Sequence, residues 1–398
     1  MRILIVGGGV AGSASAVALR RIGAQVTVVE AYEDPAGPVG SFVSLASNAL
    51  RALDALGCLD RVRARGIEVE RQRMWSGRGR LLADVARGRR AADPARSVTL
   101  RRAALVDELR SAAREAGAEV VTGDRLVGFD GGTATFSSGR TERPDLLVGA
   151  DGIWSAARGL LDPGAPVPRY AGMYVVSGRT RAADLTATAL DLRQGAFNIM
   201  FCREGAFLHV TAPDGDVWWQ AQVTSAEQPD LGASAESWRA RLADVYRREP
   251  GPRLAVERAV SLQGTTLQHS LAPVPMWHTD DAVLVGDAVH PVGAGQGAAM
   301  AVEDAVALAA ALAEADTIPA ALAGYERARR PRVSRTLRAS DDNRQAKRAN
   351  PLALRLQEVM MPLVVPHVFE RATGWLYDYE PERLPTASAA TPAEPPRA

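Results

Sequence analysis

Short apolar runs without polar alternation recur along this chain, and each stops at a glycine or a carboxylate. Arg2 to Val6, Gln25 to Val29, Asp145 to Ala150 and Ala282 to Val285 are of this kind, the pattern of strands buried on both faces of a parallel sheet. Between the first two lies an alanine-rich helical stretch, Ala11 to Ile22, closed by Gly23. Further helices are expected over Ser47 to Leu56, with Ser47 or Asn48 as cap, and from Arg102, where Leu105 and Leu109 fall four apart. Glu119 to Val121, Leu126 to Phe129 and Thr133 to Phe136 read as short strands around Gly131-Gly132.

Past the proline-rich segment Pro163 to Pro168 the pattern changes. Met173 to Thr180, Leu190 to Arg193, Phe197 to Cys202, Phe207 to Ala212 and Val217 to Val223 read as strands of an antiparallel sheet, followed by a helix over Ser237 to Arg247. The strand at Ala282 to Val285 then has the character of the N-terminal ones, so one domain is inserted into another. The expected division is 1–170 with 276–330, an inserted sheet domain 171–275, C-terminal helices over 331–380 and a flexible tail 381–398. Within the late helical region the expected helices are Glu303 to Ala315, Pro319 to Arg330, Val333 to Ala349 and Leu352 to Val359.

Composition narrows the class. With 398 residues and a net charge of +1 from 47 basic and 46 acidic side chains, neither nucleic acid nor a strongly anionic surface is the expected partner. Two cysteines, Cys58 and Cys202, suit reduced thiols in a cytoplasmic protein. The glycines inside MRILIVGGGVAG argue against a secretory signal, and no apolar run reaches the roughly eighteen residues of a membrane span. The arginines of Arg61 to Arg96 read as a solvated face.

The chemistry gathers at the strand ends. Gly7, Gly9 and Gly12 form G-x-G-x-x-G between a strand and a helix, and Glu30 follows at the end of the next strand. In that context the first glycine makes the turn, the second admits a pyrophosphate, the third lets helix and strand pack, and the acid accepts a ribose hydroxyl. Asp151-Gly152 and Gly286-Asp287 end two further strands. One extended ligand touching all three carboxylates needs more than a nicotinamide dinucleotide's single motif. After Asp287, the small residues Gly293, Gly295 and Gly297 lead into a helix whose first-turn amides favour negative charge.

At GGGVAG, LRRAALVDEL, GADGIWSAAR and GDAVHPVGAGQGAAMAVEDA the chain resembles the single-component class A FAD monooxygenases, the salicylate-hydroxylase-like flavoprotein aromatic hydroxylases with the para-hydroxybenzoate-hydroxylase fold. The resemblance implies a Rossmann-like FAD-binding domain of α/β class with an inserted antiparallel-sheet substrate domain. It implies FAD contacts from Gly7, Gly9, Val10, Ala11, Gly12, Glu30, Ala31, Arg102, Leu126, Asp151, Gly152, Gly286, Asp287, Pro291, Gly295, Gln296, Gly297, Ala298 and Ala299. Asp287 would bind the ribityl chain, and Asp151-Gly152 would serve both FAD and the nicotinamide donor. Two departures stand out: Ala31 where relatives carry Arg or Lys, and Val292, preceded by Pro291, where relatives carry proline.

The implied reaction is hydroxylation of an aromatic or polycyclic small molecule with NAD(P)H and O2, through a flavin C4a-hydroperoxide. A flavin epoxidase, oxidase or halogenase, or a non-turnover flavoprotein holding an unstable metabolite, is the alternative. The tryptophan-halogenase signature W-x-W-x-I-P does not occur. His209, on a strand of the inserted sheet, is a candidate base, though a structural histidine fits as well; Gln296 is the other candidate beside the reacting atoms. Phe197, Met200, Phe201, Trp218 and Trp219 are candidates for an aromatic pocket or for core, with the two adjacent tryptophans on opposite sides. The scattered histidines lack metal-ligand spacing, so no metal is expected. Monomer and homodimer are both compatible with the sequence.

Overall fold

The computed structural model describes residues 1–34, 42–186, 188, 190–292, 295–346 and 351–384. The loop expected over Pro35 to Gly40, Gly293, and the tail beyond residue 384 lie outside the described residues.

Five strands form the first sheet: β1 (Arg2–Val6), β2 (Gln25–Val29), β8 (Glu119–Val121), β12 (Leu146–Gly149) and β19 (Ala282–Leu284). All pair in parallel, in the order β19-β12-β1-β2-β8, with Ile3 beside both Val26 and Leu146. The apolar runs recognised in the sequence are these strands, and their side chains are almost wholly buried because helices cover both faces. Helix α1 (Val10–Arg21) packs on α4 (Arg102–Glu115) and on α8 (Gly297–Glu314). A Cβ on Gly286 would lie 2.8 Å from that of Ala11, so the turn after β19 meets the start of α1. A small antiparallel sheet, β9 (Leu126–Asp130), β10 (Thr133–Phe136) and β11 (Thr141–Glu142), lies at one side.

Two more sheets carry the chain away from the nucleus. One joins β3 (Phe42–Leu45), β7 (Ser97–Arg101) and β4 (Ile67–Val69); short helices α2 (Ser47–Ala55) and α3 (Leu59–Arg63) run between β3 and β4. The other has eight strands. Its path is β17 (Ser261–Leu262), β13 (Arg169–Arg181), β16 (Asp216–Thr224), β15 (Gly205–Thr211), β14 (Ala196–Cys202), β5 (Arg71–Ser76) and β6 (Leu81–Ala86), with β18 (Thr266–Ser270) also on β13. Thus β5 and β6 join this sheet from far upstream of 171–275; the six arginines from 71 to 89 hid them as a solvated face. Helices α6 (Ala235–Val245) and α7 (Pro250–Glu257) pack on one face, adding Trp238, Leu242 and Val256 to a core with Phe207 and Trp219. Cys58 and Cys202 are free thiols buried in different cores.

Three expectations on local structure are corrected. Leu190 to Arg193 is not a strand: the Asp191 carboxylate takes Arg73 and Arg193, and its carbonyl accepts from the side chains of Asn198 and His209, so side chains replace a ladder. The helices expected over 319–330 and 333–349 are one, α9 (Ile318–Ala346), which runs through Pro331. The backbone bond lost there is offset by Arg329 and Arg332, which ion-pair with Glu303 and Asp304 of α8. Likewise α10 (Pro351–Thr373) continues past Val359 through Pro362 and Pro366. Its Met361, Val365 and Phe369 lie on Met74, Leu82 and Val85, whereas Leu356, Val359, Met360 and Leu363 are exposed.

Candidate functional site

Glu30, Asp151 and Asp287 follow β2, β12 and β19, so the three turns lie side by side at the carboxyl edge of one sheet, flanking the Gly7 turn after β1. Gly7 has φ +103°, and a Cβ there would sit 2.5 Å from the Ala150 carbonyl oxygen. A Cβ on Gly12 would fall 1.8 Å from the Gly7 carbonyl oxygen, so both positions require glycine to close the turn. Gly9 differs: its φ is −76° and nothing lies within 4 Å of the position a Cβ would take. Gly9 therefore faces open space at the N-terminus of α1, which has no side-chain cap. The first-turn amides of Val10, Ala11 and Gly12 have no intrahelical acceptor and are suited to an anionic group there.

Glu30 is buried, with Oε2 accepting from Gly8 N (2.6 Å) and Oε1 from Tyr32 N (3.0 Å). Each oxygen retains a further lone pair. Ala31 offers only main chain, but the next strand end supplies a cation: Arg125 lies over the Tyr32 ring at 5.5 Å. Asp124 N donates to the Glu30 carbonyl, placing Leu126 nearby with its side chain in the core.

The Asp151 carboxylate turns onto α5 (Ala156–Leu161): Oδ1 accepts from Ser155 Oγ, and Oδ2 from the amides of Ala156 (2.7 Å) and Ala157 (3.0 Å). Burial raises its pKa against these bonds. The acid after β12 is thus a helix cap, and main chain at Asp151 and Gly152 (φ +79°) is what the turn presents. Buried Arg158 ties α5 to the turn after β19, donating to Ala288 O (2.8 Å).

Asp287 is the opposite case, being exposed and making no side-chain hydrogen bond to another described residue. Surrounding protein raises its pKa, while His290 and Arg102, at the start of α4, pull it down. Its Oδ1 lies 3.7 Å from where a Gly297 Cβ would be, beside the uncapped N-terminus of α8 and its residues Ala298 and Ala299. The loop between holds half-buried Pro291 and Val292, then Gly295 at φ +77°. Buried Gln296 is fixed by Asn48, expected only as a helix cap: Asn48 Nδ2 donates to Gln296 Oε1 (3.3 Å) and to Glu303 Oε1 (2.7 Å). Asn48 is therefore not a cap; Ala46 occupies the N-cap of α2.

Behind this loop, Asp304 Oδ2 accepts from Gly286 N (2.9 Å) and pairs with His290 Nε2 (2.6 Å), and Oδ1 accepts from Arg329 Nε (2.8 Å). Burial pushes the Asp304 carboxyl up, but His290, Arg329 and these bonds bring it to about 2. His290 thus anchors the loop.

The eight-stranded sheet presents Phe197, Leu208, Val210 and Trp218 toward Phe42, Ile67 and Val69, forming one apolar cluster. Phe42 precedes the segment that reaches Gln296, and its carbonyl accepts from Gln220 Nε2 (3.2 Å). Trp219 and Met200 face the other way, into the core under α6 and α7. His209 goes with them. It is fully buried beside Phe207, its Nε2 is 3.0 Å from the Asp191 carbonyl, and burial lowers its pKa to about 4. The strand's alternation puts it on the face away from Phe42 and Gln296, so the structure does not bring this candidate base to the site.

Among the described residues no helix is long and apolar enough to cross a membrane, and no group of acidic, histidine or cysteine side chains could hold a metal. A parallel sheet with three open turns, two uncapped helix N-termini and an attached antiparallel sheet defines a protein that holds a long nucleotide cofactor and places a second molecule beside it. The chain belongs to the FAD binding domain family, whose model matches residues 1–340. It is 32% identical over 344 residues to the aurachin C monooxygenase/isomerase of Stigmatella aurantiaca, covering 84% of this chain and 86% of that one. It is 29% identical over 393 residues to the 3-hydroxybenzoate 6-hydroxylase of Klebsiella oxytoca, covering 96% and 97%. Its fold matches the crystal structure of Klebsiella pneumoniae HpxO complexed with FAD and uric acid at a TM-score of 0.80 and 22% identity, over 95% of this chain and 96% of that one. The protein is an FAD-dependent monooxygenase.

Proposed function

We propose that this monooxygenase hydroxylates an aromatic small molecule at the expense of NAD(P)H and O2. The observation that carries the reading is the apolar face of Phe42, Phe197, Leu208 and Trp218, which fronts the segment holding Gln296 and the N-terminus of α8. The names of the relatives, among them the 3-hydroxybenzoate 6-hydroxylase, support it.

The residues fit FAD. Glu30 would accept the adenosine ribose hydroxyls, the Gly9 opening and the amides of Val10, Ala11 and Gly12 would take the pyrophosphate, and exposed Asp287 would hold the ribityl chain. Arg102 would balance the charge beside Asp287, and Gly297, Ala298 and Ala299 would present main-chain amides to the ring. When bound, FAD supplies the redox chemistry and the activation of oxygen. Gln296, held by Asn48, would orient the aromatic molecule or the ring; the sheet's apolar face would hold water away. With His209 on the far face, a phenol's proton would pass to solvent.

The division of labour we infer gives 1–170 other than 71–86, with 276–330, to FAD, and 171–275 with 71–86 to the substrate side, in a cytoplasmic protein. We also infer a homodimer through α10, because a helix apolar on opposite sides is covered on both, and an uncharged stripe on a nearly neutral chain complements itself. The hydroxylase reading is tested by adding aromatic compounds to the FAD-loaded protein with NAD(P)H. Faster NAD(P)H oxidation matched by hydroxylated product supports it; a yellow protein that consumes no NAD(P)H with any aromatic compound overturns it.

A further inference from the structure

Arg87, just past β6, is a half-buried cation with no carboxylate partner among the described residues. Its neighbours are supplied: Asp84 pairs with Arg71 and Arg73, and Glu70 with Arg89. Arg87 instead donates from Nη1 to the Oε1 of Gln72, itself 6% exposed, and its guanidinium carbon lies 3.9 Å from the Phe197 ring centroid. Burial works against its charge, and the nearby Tyr377 phenol, pushed up by its own burial, stays neutral. A guanidinium keeps its proton in proteins. Among the described residues its side chain is held by one amide oxygen and one aromatic face, and its remaining N–H groups have no acceptor among those residues.

The position is as telling as the charge. Gln72 and Phe197 are cross-strand neighbours on the face turned to the site. Phe197 meets Phe42 edge to face, with centroids 6.1 Å apart. Residue 88 accepts from Ser47 N (2.8 Å), and the next residue, Asn48, holds Gln296. Arg87 thus stands at the edge of the aromatic wall, one residue before the carbonyl that accepts from the segment holding Gln296.

We propose that Arg87, oriented by Gln72, binds a carboxylate on the aromatic substrate of this site. The Gln72 bond fixes one arm of the guanidinium and leaves the fork free for two parallel bonds to a carboxylate, while Phe42 and Phe197 give the attached ring an apolar wall. This rests on the hydroxylase reading for the site but not for the test, which needs neither NAD(P)H nor turnover.

The experiment titrates the FAD-loaded protein with 3-hydroxybenzoate and with neutral 3-hydroxybenzamide, following flavin absorbance and heat of binding. The expected wild-type preference for the acid is about 10- to 100-fold. Arg87→Met should erase it, weakening the acid by about that factor and the amide by less than about threefold. Gln72→Glu is the companion variant: it supplies Arg87 with an internal carboxylate, so it should fold and still reject the acid. Equal affinity for acid and amide in the wild type, or a preference that survives both variants, overturns the proposal. Arg87-dependent binding without any NAD(P)H oxidation would instead sink the hydroxylase reading alone.

Discussion

His209 shows how one side chain separates a catalytic from a structural role. Its folded pKa of about 4 lies below the ordinary 6.5, so between those values the unfolded chain binds a proton that the folded one does not. Stability therefore rises with pH across that window and falls by about 3 kcal/mol as pH drops through it. His209→Gln should melt with that acid sensitivity removed, while hydroxylation changes less than about threefold; a collapse of turnover with FAD still bound would return His209 to catalysis. The strand-end turns at Glu30, Asp287 and the glycines were legible because each is local, set by a turn and the strand before it. Asn48, Gln72 and Arg87 were not, since each gains its place from a partner far away in the chain: Gln296 for the first and Phe197 for the other two.

At the scale of elements, periodicity found the strands of the parallel sheet and the helices α1, α4 and α8, whose buried stripes are continuous in sequence. It misplaced the join between the two late helices. Pro331 reads as a break, yet α9 continues because Arg329 and Arg332 draw it onto Glu303 and Asp304, an attraction no local pattern encodes. Arg329 is buried between two carboxylates, so Arg329→Met would remove the cation they share, leaving Glu303 to Arg332 and Asp304 to His290, and cost about 3 kcal/mol. Thermal or denaturant unfolding should show this loss, together with weaker FAD binding through the Gly286 and His290 anchors of Asp304. Unchanged stability would mean that the network is incidental. Strands β5 and β6 escaped notice for a related reason: Arg71 and Arg73 of β5 satisfy Asp84 of β6 and Asp191, so charged residues line a sheet and not a solvated face.

For the whole molecule, the parallel sheet offers its carboxyl edge, α1 and α8 bring two helix N-termini to that edge, and the eight-stranded sheet packs its apolar face on Phe42, Ile67 and Val69. The exposed stripe of α10 lies away from this assembly, on the far side of the helix from β6. Light scattering should find a dimer that Leu363→Glu converts to a folded, FAD-bound monomer; a wild-type monomer would contradict the homodimer. The account as a whole depends on the cofactor lying across the Gly9 opening, and FAD titration of Gly9→Ala tests this most directly. The added methyl meets no protein atom within 4 Å and needs no positive φ, so the apoprotein should melt like wild type. Its affinity for FAD should nevertheless fall at least about tenfold, as the methyl enters the space of the pyrophosphate. Wild-type FAD affinity in a normally folded Gly9→Ala protein would contradict the account.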